Sequence, residues 1–171
     1  MEREAGKRDS VAVAAAQASM EALQTEEHLY CLFCGKENPI GFKLDFRVDK
    51  PGSVQAALMC GHRFQSYSET LHGGVTSALL DAAMTNALFS LNVVALTGEL
   101  TVRFLNPVEL GREAEVSAEL VEDSKPLYKL RAQLAQGGKP VARATAKFVD
   151  REWATSEVGG GAASWVRYRG W

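Results

Sequence analysis

The sequence predicts an α+β domain in which an antiparallel sheet of about six strands wraps around one long central helix, with another helix at the N-terminus. Three observations lead to this prediction. Six segments alternate apolar and polar residues at the period of a half-buried strand, and turn residues separate them. One long apolar helix, residues 74–91, lies between the second and third of these segments. An antiparallel sheet needs its apolar face covered, and this helix is the candidate to cover it.

The N-terminal helix is predicted from residues 10–30, which are rich in alanine and place apolar side chains at three- and four-residue spacing. Ser10 is expected to be its N-cap. The next segment, CLFCGKENPIG, is dense in Gly, Asn and Pro and is predicted to be a loop. We therefore expect residues 1–30 to be a helical extension and residues 31–151 to be the main domain.

Two strands are expected before the long helix and four after it, in a meander. The first pair is predicted at residues 42–48 and 54–58, joined by the Pro51-Gly52 turn. The later strands are predicted at residues 99–104, 113–120, 128–134 and 141–148. Residues 152–171 follow neither period and are expected to be a C-terminal tail, flexible or docked on a partner surface.

Composition narrows the class of protein. The chain has 171 residues and a formal net charge of -2, which fits one ordinary domain and gives no broad basic surface for nucleic acid. No apolar run approaches the length of about 18 residues that spans a bilayer. Three cysteines, an odd number without regular spacing, favour reduced thiols. These features predict a cytoplasmic protein whose partners are small molecules, with neither nucleic acid nor membrane among them.

The stretch LHGGVTSALLDAAM is unusual for a buried helix because it opens with two glycines and carries the carboxylate of Asp81. A buried carboxylate is costly unless it is paired or has a task. Ser77 and Thr85 lie four residues to either side, so the three side chains form a polar stripe that we expect to face a site. Two plainer explanations stay open: a tight turn for the glycines, and a solvated or locally hydrogen-bonded carboxylate for Asp81.

Three motifs together resemble a known family. LHGGVTSALLDAAM, CLFCGKENPIGF and TGELTVRFLNPVELG are similar to segments of the hot-dog acyl-CoA thioesterases, in their phenylacetate-type (PaaI-like) branch, and the resemblance covers about Cys31 to Asp150. It implies the hot-dog fold and hydrolysis of an acyl-CoA or acyl-carrier thioester without a cofactor. It also implies that the Gly73 amide polarises the thioester carbonyl, while Asp81 acts as general base or nucleophile.

The resemblance implies further site residues. His72 is expected to lie close to the thioester, although a helix-capping histidine explains it equally well. Thr97 lies where a relative carries a serine that holds the attacking water, and Ser66 lies where some relatives have an asparagine. Ala82 stands where close relatives often have glutamate. The residues expected to bind substrate are Gly74, Ser66, Ser77 and Thr85.

The spacing of Gly73 and Asp81 bears on assembly. Eight residues of straight helix span about 12 Å, so one thioester carbonyl cannot contact both residues. Either the Gly-Gly turn leaves the helix and folds back, or the two residues of one site come from different subunits. The resemblance favours the second alternative, which predicts a homodimer, with a dimer of dimers (homotetramer) as the larger possibility.

The sequence also leaves open a metal or redox site at the cysteines and two functions other than thioester hydrolysis. Cys31 and Cys34 have metal-ligand spacing, and a zinc site could be drawn with His28, Cys60 and His62, but two cysteines packed in a buried loop without metal are favoured over zinc or a redox pair. A non-catalytic acyl-CoA sensor on the same fold is the alternative function. A dehydratase or hydratase is less favoured, because the Gly-Gly-x6-Asp pattern argues against its His-based site.

Overall fold

The computed structural model describes residues 2–156, with side chains from residue 9 onward. The predicted α+β architecture, a six-stranded antiparallel sheet with a central helix, is confirmed. The elements in chain order are α1 (Glu2–Glu27), β1 (Arg47–Lys50), β2 (Ser53–Met59), a 3-10 turn (His62–Phe64), α2 (Gly73–Phe89), β3 (Ala95–Phe104), β4 (Glu113–Ser124), β5 (Leu127–Gln136), β6 (Lys139–Asp150) and α3 (Arg151–Thr155).

The strand order is β1-β2-β4-β5-β6-β3, so the prediction of a simple meander is wrong at one strand. After α2 the chain crosses to the far edge of the sheet, where β3 pairs with β6 and not with β4. Alternation along β3 suggested a well-covered apolar face, yet Leu100 and Val102 are only half-buried and Phe104 is 55% exposed. The reason is position: β3 is an edge strand that pairs only with β6, so one of its sides has no neighbouring strand.

The first predicted strand is too long. The ladder begins at Arg47, while residues 42–46 run alongside the preceding loop. The Phe42 and Leu44 amides donate to the carbonyl oxygens of Leu32 and Phe33, each at 2.8 Å. The apolar alternation from Phe42 onward therefore reflects packing against that loop and not a place in the sheet.

The terminal elements also differ from their predicted bounds. Ser10 lies inside α1 and is not its N-cap, and α1 ends at Glu27, where the chain turns into the loop that holds Cys31 and Cys34. The first residues of the predicted tail form α3, whose N-terminus is capped by the Asp150 carboxylate. The rest of that tail, residues 157–171, lies outside the described residues.

The core lies on both sides of α2. One side packs on the sheet and the other on α1, which explains why this helix is apolar around most of its circumference. Burying each large side chain of this kind contributes about 1.5–3 kcal/mol. The largest fully buried side chains include Met20, Phe46, Leu79, Leu80, Met84, Leu88, Phe89, Leu130, Leu134 and Phe148. Between residues 2 and 156, no helix combines the length and apolarity needed to cross a membrane.

Candidate active site

The N-terminus of α2 is built around His72. This residue is the N-cap, with φ -61° and ψ 130°, and its Nδ1 accepts a hydrogen bond of 2.9 Å from the Gly74 amide. A Cβ atom at Gly74 would lie 3.1 Å from that Nδ1, which is tighter than ordinary contact. Glycine at this position therefore lets the imidazole lie against the first turn of the helix, and the capping interpretation of His72 accounts for its geometry.

Gly73 is the first residue of α2, and its N–H is one of the donors that a helix leaves without an intrahelical partner. No acceptor lies against this N–H among the described residues. The Phe104 ring lies over the glycine, since a Cβ there would be 3.5 Å from Cε1 and Cζ of that ring. A half-exposed amide at a positive helix end, flanked by an exposed aromatic ring, can donate to a carbonyl oxygen that carries developing negative charge.

Asp81 lies two turns further along α2 and is half-buried. Thr97 Oγ1, from β3, donates a hydrogen bond of 2.8 Å to Asp81 Oδ1. Burial raises the pKa of the Asp81 carboxyl above its usual range, while the Thr97 hydrogen bond and the charge of His28 oppose that shift. Thr97 adjoins a bulge in β3, a feature that redirects side chains. The carboxylate is thus oriented, partly desolvated and available as a base or a nucleophile.

The other predicted members of the polar stripe serve the helix backbone. Ser77 Oγ donates to the Gly73 carbonyl oxygen at 3.0 Å, and Thr85 Oγ1 donates to the Asp81 carbonyl oxygen at 3.1 Å. Neither hydroxyl donates to the Asp81 carboxylate in this structure. Ser66 is exposed in the loop before α2, where its Oγ contacts the Thr70 carbonyl oxygen at 3.4 Å, so the structure does not bring Ser66 to Asp81.

Gly73 and Asp81 both belong to one continuous helix, Gly73–Phe89. The alternative in which the Gly-Gly turn leaves the helix and folds back towards the carboxylate is therefore wrong. The two residues are about 12 Å apart along the axis, as their spacing predicts. A single chain holds the amide donor and the carboxylate too far apart for one thioester carbonyl.

Three side chains that could hold a metal lie together in the loop that follows α1. His28, Cys31 and Cys34 have ligand atoms within 4.8 Å of one another, whereas Cys60 and His62, also considered from the sequence, are not members of this group. The Cys34 thiol donates to Cys31 and so lowers the pKa of the Cys31 thiol, and the same interaction raises the pKa of Cys34. Both His28 and Cys31 act electrostatically on the Asp81 carboxylate.

A groove of about 790 Å³ lies mainly on the outer face of the sheet, opposite α2. Polar and charged side chains line it, including Arg103, Arg131 and Arg143. Neither Gly73 nor Asp81 contributes to this groove, so the groove and the candidate catalytic groups are in different places. The carboxylate and the helix end hold groups that can act on a thioester, whereas the groove is an open surface lined mostly by polar and charged side chains.

Comparison of the sequence with known protein families gives a match. Residues 62–149, just over half of the chain, match the family described as the acyl-CoA thioesterase N-terminal domain. The chain belongs to this family. The matched segment contains Gly73, Asp81 and Thr97, and the expectation of an acyl-CoA thioesterase is confirmed at the level of the family. A search of curated proteins gives no significant match.

Solved structures of thioesterases share the fold of this thioesterase. The PaaI protein of the Escherichia coli phenylacetic acid degradation operon matches with a TM-score of 0.70 and 18% identity, over 81% of this chain and 95% of that one. A thioesterase superfamily protein matches with a TM-score of 0.65 and 21% identity, over 68% of this chain and 58% of that one. A hypothetical thioesterase from Streptococcus pneumoniae, solved with coenzyme A, matches with a TM-score of 0.60 and 18% identity, over 63% and 84%. The hot-dog fold expected from the sequence is confirmed.

Sequence reasoning missed three residues that act on the candidate site. Phe104 was assigned to the apolar face of a strand, although its ring lies over Gly73. His28 and Cys31 were considered as a separate metal or redox motif, although their charges act on Asp81. Nothing in the sequence signals these interactions, because they depend on how an edge strand and the loop after α1 pack in three dimensions.

Proposed function

We propose that the thioesterase hydrolyses an acyl-CoA or acyl-carrier thioester to the free acid and thiol at sites shared between two subunits. The observation that carries the proposal is the half-buried Asp81 carboxylate, held by Thr97 at 2.8 Å on the same helix as Gly73. In each site, Asp81 of one subunit activates the attacking group. The Gly73 amide of the other subunit polarises the thioester carbonyl.

Two routes fit this arrangement. As a general base, Asp81 takes a proton from water while the water oxygen attacks the carbonyl carbon, and the C–S bond then breaks to release the thiolate. As a nucleophile, Asp81 attacks the carbonyl carbon itself, and the resulting anhydride is hydrolysed by water. In both routes negative charge develops on the carbonyl oxygen, where the Gly73 N–H would donate.

The solved thioesterases add support for these residue roles. Two variants of the Streptococcus pneumoniae protein, solved separately, replace an aspartate and a threonine that lie sixteen residues apart. Asp81 and Thr97 are separated by the same number of residues and are joined by a hydrogen bond. The structure of that protein with coenzyme A supports a CoA ester as the substrate class. No metal or organic cofactor takes part in either proposed route.

The remaining site residues have supporting roles in the proposal. His72 holds the first turn of α2 in place through the Gly74 amide, so that the Gly73 N–H stays directed outward. Ser66, Ser77 and Thr85 lie on the loop and helix around the two catalytic groups and are proposed to contact the bound substrate.

We propose a homodimer as the minimal active unit, with a dimer of dimers as the larger form. The separation of Gly73 from Asp81 requires a second copy of the chain if one carbonyl is to meet both groups. The edge strand β3 carries Thr97 and the exposed Phe104, so it lies next to both half-sites. The cytoplasmic location expected from the sequence stays a prediction.

Thiol release from a panel of acyl-CoA esters tests the catalytic proposal. Replacing Asp81 with asparagine should lower kcat/KM by roughly 10²–10⁴, the range that general base catalysis contributes. The matched control is Asp123→Asn, which removes an exposed carboxylate distant from α2 in sequence and should leave the rate unchanged. Equal thiol release by the wild type and the Asp81→Asn variant would show that Asp81 has no catalytic role.

One observation favours a non-catalytic acyl-CoA sensor as the second candidate. Ser66, which stands where some relatives have asparagine, is exposed and contacts only a nearby backbone carbonyl. A sensor would bind a non-hydrolysable thioether analogue of acyl-CoA tightly while releasing no thiol from the matching ester. Calorimetric titration with the analogue, run beside the thiol assay, separates the two functions.

Subunit mixing tests the shared site. Asp81→Asn and Gly73→Ala chains are unfolded together and refolded at equal concentrations. If each site takes its carboxylate and its amide from different subunits, hybrid dimers contain one intact site, and activity should return to about a quarter of the wild-type value. If each chain carries a complete site, every site holds one substitution and the mixture stays as inactive as its components.

A further inference from the structure

We propose that His28, Cys31 and Cys34 form a binding site for a zinc ion, adjoining the candidate active site of the same chain. Their ligand atoms lie within 4.8 Å of one another, and His28 Nδ1 is 3.5 Å from Cys34 Sγ. In a tetrahedral zinc site, Zn–S and Zn–N bonds of about 2.3 and 2.0 Å place neighbouring ligand atoms roughly 3.5–3.8 Å apart. The existing arrangement thus approaches the geometry that the ion requires.

The local backbone brings the three ligands together. The Cys31 amide donates to the His28 carbonyl oxygen at 2.9 Å, and the Gly35 amide donates to the Cys31 carbonyl oxygen at 3.0 Å. A Cβ at Gly35 would lie only 2.3 Å from the Cys31 backbone nitrogen, so the chain can fold back this tightly only with glycine there.

Neighbouring side chains hold the ligands in place. The buried Asn86 directs its Nδ2 at Cys34 Sγ, at 3.8 Å, and is itself fixed by the Gln24 amide at 2.7 Å. The His28 ring packs edge-on against Phe89, with ring centroids 4.7 Å apart. Such contacts orient metal ligands in known sites.

The chemistry of the set favours zinc over other biological cations. Two thiolates and one imidazole are soft or borderline ligands, which suit zinc and exclude calcium and magnesium as natural occupants. Three protein ligands leave one of zinc's four positions open to water or substrate. The group packs against Asn86 and Phe89 of α2, beyond Asp81 from the helix N-terminus, so the ion would add positive charge in the half of the helix that carries that carboxylate. The metal site is independent of the proposed hydrolysis, and its test requires no thioester.

Metal analysis of the full-length protein, purified under reducing conditions without chelators, tests the site. The wild type should hold about one zinc per chain, and Cys31→Ala and Cys34→Ala should each lower the content at least about tenfold. The matched control is Cys60→Ala, because Cys60 is also buried and lies outside the group. It should keep the metal. Because an alanine variant could fail to fold, circular dichroism of each variant accompanies the measurement.

Cobalt substitution of the wild type gives a second readout that needs no variant. Titrating Co²⁺ into metal-free protein should produce the absorption bands of a tetrahedral ion and a sulfur-to-cobalt charge-transfer band, and both should vanish when zinc is added. The proposal is overturned if the folded wild type holds no zinc and gives no charge-transfer band, or if Cys31→Ala keeps full metal content. A Cys31–Cys34 disulfide found by mass spectrometry in protein kept reduced would overturn it as well.

Discussion

Replacing Thr97 with valine should show whether Asp81 is the base. Valine keeps the size of the side chain but removes the hydrogen bond of 2.8 Å to the carboxylate. Such a bond to a charged group is worth about 1.5–3 kcal/mol, and the lower end applies here because Asp81 is only partly buried. At 1.36 kcal/mol for each factor of ten, about 1.5 kcal/mol corresponds to roughly tenfold. The bond favours the ionised form, so its loss raises the pKa of Asp81 further.

The expected consequence is a displaced pH profile for thiol release. On the acid limb, kcat/KM of Thr97→Val should fall roughly tenfold below the wild type, and the difference should narrow as the pH rises above the displaced midpoint. Thr97→Ser, which keeps a hydroxyl, should restore the wild-type profile. The matched control is Thr25→Val, because that hydroxyl donates to the backbone oxygen of Glu21 on α1 and lies outside the candidate site. An acid limb in folded Thr97→Val that coincides with the wild type would refute the reasoning.

The same substitution has a signature in stability. Because burial raises the pKa of Asp81 in the folded state, its contribution to stability is complete in acid, where the group is protonated. That contribution is lost as the pH rises through the folded-state pKa. Thr97→Val should deepen the loss, so the gap in melting temperature between variant and wild type should widen from acidic to neutral pH. A gap that does not change with pH would mean that the hydroxyl serves packing alone.

Two further substitutions separate catalysis from stability. Gly73→Ala should leave the melting temperature nearly unchanged, since its Cβ would meet the Phe104 ring at an ordinary 3.5 Å, yet lower kcat/KM at least about tenfold by obstructing the carbonyl at the amide. Unchanged kinetics in that variant would remove the amide from the proposal. Asn86→Ala should lower the free energy of unfolding by about 2–4 kcal/mol in urea titrations, because it opens a cavity and leaves the buried Gln24 amide unpaired. The control Gln65→Ala, at an exposed position, should change the free energy of unfolding by less than about 0.5 kcal/mol. An equally small effect of Asn86→Ala would contradict the structural role of its hydrogen bond with Gln24.

The central helix was predictable from sequence because its signal is local. Residues 74–91 form a long apolar run with good helix formers, and the observed helix, Gly73–Phe89, differs by one residue at its start and two at its end. The edge position of β3 was not predictable, because alternation looks the same in an edge strand as in a central one. Only the crossover after α2 decides that β3 pairs with β6, and that choice is made by packing over long sequence distances.

The candidate site also has residues that the sequence pattern predicts and residues that it does not. Glycines at a helix start and a carboxylate within an apolar run are visible as a pattern, so Gly73 and Asp81 could be proposed directly. Thr97 could be proposed only through a family resemblance, since a threonine in a strand carries no signal of its own. The hydroxyls of Ser77 and Thr85 donate to backbone carbonyls one turn earlier, which the pattern does not signal, and their contact with substrate stays a proposal.

Because α2 is one unbroken helix, the way two chains associate decides the composition of both the proposed thioester site and the proposed metal site. An intact helix cannot shorten the distance between Gly73 and Asp81, so the protein can complete a thioester site only by bringing a second copy of the helix end to the carboxylate. The group formed by His28, Cys31 and Cys34 packs against Asn86 and Phe89 of α2, so it lies in the half of the helix that carries Asp81 and not at the Gly73 end. Each complete site would therefore take its base and the neighbouring metal from one subunit, and its amide donor and the Phe104 ring from the other. In the subunit-mixing experiment, Cys31→Ala placed on the Asp81→Asn chain should then leave the recovered activity unchanged. Placed on the Gly73→Ala chain, Cys31→Ala removes the metal from the single intact site, so a change in the recovered activity would then measure the effect of the metal on Asp81.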